Sequence, residues 1–121
     1  MDDSFIPEER LYRGIHAMWL DGDRITSAAF KDSGGVSVDR DGGRNEGECV
    51  ERIINALPQI SGVGRLTCAD VESCGAVTIY CPTPDNDYHS QIQDSKEQVK
   101  MPQSKARKLA NCCLLVYKKE S

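Results

Sequence analysis

The sequence predicts a single small α+β domain, built from four or five short strands and two principal amphipathic helices. Three observations carry that expectation. The chain has 121 residues, a length that suits one hydrophobic core and not two. Short segments with strand alternation recur between clusters of Gly, Asp and Pro. Two longer segments place apolar residues three and four apart, the period of a helix with one buried face.

Residues 1–9 hold four acids and a proline, with only Phe5 and Ile6 to bury, and read as an extended lead-in to a domain spanning 10–121. Alternation from Leu11 to Ile15 predicts a first strand, and Asp21-Gly22-Asp23 a tight turn. Ile25 to Phe30 reads equally as a second strand or as a short helical turn opened by Ser27. Val36-Ser37-Val38, between glycine-rich flanks, predicts a brief strand.

The first helix carries the strongest local signal. Asn45 followed by Glu48 is the pattern of a capping box, acids crowd the first turn, and Pro58 stops the helix. Its apolar stripe is Cys49, Val50, Ile53, Ile54 and Leu57. Val63–Cys68 and Ala76–Cys81 read as two strands that can pair, joined by one helical turn closed with Gly75. Pro82 to Asp87 has the composition of a loop, and Tyr88 to Ile92 that of a last strand. The second helix runs from Ser104 to about Leu115, with Ala106, Leu109, Ala110 and Cys113 on its apolar stripe.

Composition narrows the function classes. Hydrophobic residues make up 39% and charged residues 28%, ordinary globular usage. The longest apolar run, Cys112 to Tyr117, is far too short to cross a bilayer, so no membrane partner is expected. The acidic Met1–Ser4 opening lacks the pattern of a secretory signal, so the expected location is cytoplasmic. There the six cysteines are expected as reduced thiols acting as small buried hydrophobes. None has C-x-x-C spacing, so no metal site and no cofactor is predicted.

Charge is uneven along the chain. Residues 1–51 hold twelve acids and six bases, whereas residues 96–119 hold seven bases and one acid. Lys105, Arg107 and Lys108 on the second helix are therefore a candidate phosphate-binding face for nucleic acid. A solvated helix face, or docking against the acidic half, is the simpler reading.

The familiar nucleotide and hydrolase signatures are absent: no P-loop, no G-x-G-x-x-G, no H-E-x-x-H, no G-x-S-x-G. Histidine chemistry rests on His16 or His89 alone. His89 follows the Pro82–Asp87 loop, where Cys81 or Cys68 would be a nucleophile within reach if the fold brought them together.

Two resemblances add candidates. Leu11-Tyr12-Arg13-Gly14 followed by a Ser-bearing segment is similar to the opening of ADP-ribosyltransferases and related NAD-consuming toxins. That likeness implies Arg13 on a dinucleotide phosphate and Ser27 supporting the nicotinamide pocket. The late Glu of that family has no counterpart, since Glu72 falls in a turn and Glu97 in a polar stretch. Across most of its length the chain resembles a set of short uncharacterised bacterial proteins. The shared residues are Leu11-Tyr12-Arg13-x-Ile15, Trp19, Ser27-x-Ala29-Phe30, Ser37-Val38-Asp39, His89 and the Lys105–Ala110 helix. That set implies a bacterial or phage origin, carries no known activity, and draws attention to Arg13, Ser27, Ser37, Asp39 and His89 as one polar cluster. The function expected is an accessory domain that binds a protein partner; the alternatives are an NAD-linked transferase fragment and a nucleic-acid binder.

Overall fold

A computed structural model describes residues 1–120 and shows an α+β domain. Six strands form one sheet in the order β6-β7-β4-β1-β5-β8, and every neighbouring pair is antiparallel. The strands are β1 (Arg10–Ile15), β4 (Val36–Arg40), β5 (Gly62–Thr67), β6 (Val77–Tyr80), β7 (His89–Gln93) and β8 (Leu114–Lys118). A separate hairpin pairs β2 (Leu20–Asp21) with β3 (Arg24–Ile25) around Gly22, at φ +64°. The helices are α1 (Glu46–Ala56), α2 (Cys68–Ser73) and α3 (Gln103–Cys112).

The class is the one expected, and the strand count is higher. Ile25 to Phe30 divides between its two readings: Ile25 ends β3, and Ser27–Phe30 is a 3-10 helix. The second helix stops at Cys112 instead of Leu115, because Leu114 to Lys118 pair with β5 as an edge strand. The segments expected to pair with each other, β5 and β6, lie at opposite sides of the sheet with β1, β4 and β7 between them. Gly75, at φ +79°, closes the end of α2 before β6, as expected.

Strand alternation gives the sheet two unlike faces. Leu11, Ile15, Val36, Val38, Leu66 and Ile92 point to one face, where Phe30, Val71, Ala106 and Leu109 from the helical segments complete the main core. Tyr12 and Val63 point to the other, where Cys49 and Ile53 of α1 cover them together with Ile60. Helix α1 has the capping box expected of it: Asn45 accepts from the Glu48 N–H, and the Glu48 carboxylate accepts from the Asn45 N–H. It covers only the β1 and β5 side of its face, leaving the β4 and β7 side open.

The lead-in has no helix or strand yet is fixed to the sheet by charge. Arg40 makes a two-bonded ion pair with Glu9, 2.7 Å on each arm, and also donates to the carbonyls of Asp2 and Ser4. Its guanidinium lies between the rings of Phe5 and Tyr80. Both charged side chains are buried. Among the described residues no helix is long and apolar enough to cross a membrane.

Candidate functional site

The open side of the second face holds a cleft of about 250 Å³ beside α1. Its floor is apolar, formed by Tyr12, Gly14, Ile53 and Leu57. Gly14 lets the end of α1 lie close on β1; a Cβ at that position would stand 3.1 Å from both Leu57 and Ile60. The rim is polar: Ser37 and Asp39 from β4, His89 from β7, Arg52 from α1 and Asn86 from the loop before β7.

Each rim group is held by another. The Asp39 carboxylate accepts from Arg52 at 3.1 Å on one oxygen and from the Asn86 amide at 2.8 Å on the other. Arg52 also donates to the Asp85 carbonyl, which fastens α1 to the loop. Asp39 is 6% exposed, so this pair works in a poorly solvated setting. Asp39 stands opposite His89 in the β4–β7 register, and Ser37 lies two residues back on the same face.

His89 is oriented at both ring nitrogens. Nδ1 lies 2.8 Å from the carbonyl oxygen of Cys81, and a carbonyl only accepts, so Nδ1 carries a proton. In the neutral imidazole Nε2 is then an acceptor, and it faces the Ser37 hydroxyl at 3.2 Å. Ser37 is exposed although it sits in the middle of a central strand. The arrangement is therefore a hydroxyl, an imidazole able to accept its proton, and a backbone group that fixes the imidazole.

Cys81 does come to His89, with Sγ 3.4 Å from Nδ1, but that nitrogen is the one already donating to the backbone. Burial also pushes the Cys81 thiol up, which disfavours the thiolate a nucleophile needs. Cys68 lies elsewhere, in the main core with Val71.

Of the five polar residues expected to cluster, Ser37, Asp39 and His89 meet at this rim, whereas Arg13 and Ser27 do not. Arg13 points to the opposite face and is 5% exposed. Its guanidinium donates to the carbonyls of Ala29 and Ser37 and to Asp32, and it lies under the Trp19 ring. A dinucleotide phosphate has no route to it unless those contacts open. Ser27 bonds to Gln103 of α3 instead. On the basic helix, Lys105 is held by Asp94 and the Gly75 carbonyl, while Arg107 and Lys108 are exposed. That helix packs on the far side of the sheet from the cleft.

Comparison with protein-family models, with curated proteins and with solved structures finds no match.

Arg52, Asn86 and Gly14 escaped as site residues, and Leu57 was expected only on the apolar stripe of the helix. Arg52 sits on α1 beside the apolar stripe, in a position that any solvated helix arginine would occupy. Asn86 lies in a segment whose composition says only loop. The six cysteines are free thiols. Among the described residues, no group of three or more His, Cys, Asp or Glu side chains is placed to hold a metal ion.

Proposed function

We propose that this chain is a small bacterial accessory domain that binds a protein partner by taking one large apolar side chain into the cleft beside α1. The observation that carries the reading is the joining of an apolar floor to a polar rim already ordered by its own hydrogen bonds. The cleft opens at Ser37 and Leu57, both exposed, and an apolar anchor seated there would be removed from water against Leu57. Ser37, Asn86 and Arg52 would meet the partner's main chain at the rim. Because these groups are pre-positioned, little ordering cost opposes binding. The volume falls below the roughly 300–1,000 Å³ of a drug-sized ligand site, which favours a single side chain over a cofactor.

Selection of a displayed peptide library on the full chain tests this reading. Enriched peptides should share one large apolar residue, and Ser37→Trp, which fills the cleft from an exposed position, should weaken their binding by about tenfold or more. No enrichment, or peptides indifferent to Ser37→Trp, would sink it.

A second reading has its own support in the Ser37 and His89 geometry. The Ser37 oxygen would attack an ester carbonyl carbon as His89 Nε2 takes its proton; that proton then passes to the departing alkoxide, and water releases the acyl group. Slow turnover of an activated aryl ester that both Ser37→Ala and His89→Ala abolish would favour it. Turnover unchanged in either variant would dismiss it.

A further inference from the structure

We infer that Cys74 and Cys112 form an intramolecular disulfide when the chain meets a peroxide, a modification site on the far side of the sheet from the cleft. Their sulfur atoms lie 3.9 Å apart, in contact and without a bond. They are 38 residues apart in sequence, so the contact is made by the fold. Cys74 is the residue that caps α2, its N–H bonded back to Asp70 and Val71. Cys112 is the last residue of α3, and the two helices touch. Both positions end a helix, and the two sulfur atoms must close from 3.9 Å to the length of a bond.

The two thiols have different access. Cys74 is 5% exposed, whereas Cys112 is half-buried and open to a small oxidant. Cys112 is therefore the attacking sulfur. Its thiolate displaces hydroxide from hydrogen peroxide and becomes a sulfenic acid; the Cys74 sulfur then attacks that sulfur and releases the second oxygen as water. Two thiols and one peroxide give one disulfide and two waters, and the two electrons pass from sulfur to oxygen. Burial beside Cys74 pushes the Cys112 thiol up to about 11, so the reaction is slow at neutral pH and suits sustained oxidant exposure.

The bond would close a loop holding β6 and β7, and with them Asn86 and His89 of the cleft rim. Closing a loop of that length removes freedom from the unfolded chain and should raise Tm by about 10 °C.

The test treats the folded full chain with hydrogen peroxide, removes the oxidant, unfolds the chain in urea while blocking the remaining thiols with N-ethylmaleimide, and digests without reductant. The expected product is one linked peptide pair joining Cys74 to Cys112, reversed by dithiothreitol, with the other four cysteines alkylated. Cys81→Ser should retain the link, and Cys112→Ser should leave Cys74 open to alkylation once the protein is unfolded. Cys112 recovered as sulfinic or sulfonic acid beside an unmodified Cys74 would overturn the inference. So would a Cys112–Cys113 link or a link between two chains. Wild-type peptide mapping decides the matter even if a variant does not fold.

Discussion

Glu9 and Arg40 show how much one residue pair carries in this chain. Their charges are buried, doubly bonded and flanked by two rings, so removing one partner leaves an uncompensated ion. Glu9→Ala should lower stability by about 3–5 kcal/mol, read from urea unfolding. Glu9→Gln, which keeps a hydrogen-bonding group against Arg40, should lose less. Nothing local in the sequence marks this pair, because its members are 31 residues apart and each looks like a surface charge. A second residue-scale expectation falls on Gly64, at the irregular join of β5 with β8. A Cβ there would stand 2.6 Å from the Cys113 sulfur and 2.9 Å from Ile25. Gly64→Ala should cost about 1–3 kcal/mol by overpacking, seen as a lower midpoint in the same assay. Ser37 and Asp39 were reached as candidates through the resemblance to short bacterial proteins, and His89 also through its place after the Pro82–Asp87 loop. Arg13 came from the same resemblance, and the fold uses it internally.

Elements differ in how openly they declare themselves. The start of α1 was legible because a capping box is local: two side chains three residues apart satisfy two otherwise orphaned N–H groups. Asn45→Ala should cost about 0.5–2 kcal/mol. Because α1 also delivers Arg52 to Asp39, the variant should show faster amide exchange in the first turn of α1, measured by hydrogen exchange. No change in either quantity would mean that tertiary packing alone fixes the helix. Strand β8 was hidden for the opposite reason. Cys112 to Tyr117 is one apolar run, and a run that short fits the helical and the strand period alike. The edge of β5 decides between them, and that edge is built from residues some fifty positions earlier.

The molecule as a whole should weaken in alkali. Burial pushes the Cys68 and Cys113 thiols up to about 12 from a starting value of 9.0. Below pH 9 these thiols are protonated in both the folded and the unfolded chain, and stability is unaffected. Between pH 9 and about 12 the unfolded chain releases protons that the folded chain retains, so stability falls as pH rises. A series of Tm values from pH 8 to 11 should therefore decline above pH 9. Cys68→Ala should make the decline shallower, even though its Tm at pH 8 is lower; an unchanged slope would refute the assignment. At this scale the fold class was legible from length and patterning, whereas strand order was not. Order depends on contacts between distant segments, of which β5 and β6 are the instructive case, adjacent in the chain and remote in the sheet.

The position of β1 sets a schedule for folding. It is the first strand of the chain and lies inside the sheet, yet Arg10 pairs with Thr67, and Gly62 in turn with Lys118. Leu11, Tyr12 and Ile15 have no lasting shelter until β5 has been synthesised, and the sheet has no finished edge on that side until β8 has been. Such distant pairings slow folding relative to a domain held by local contacts. During synthesis the apolar centre stays exposed for most of the chain's length, and it is in that interval that a chaperone would find the most to bind.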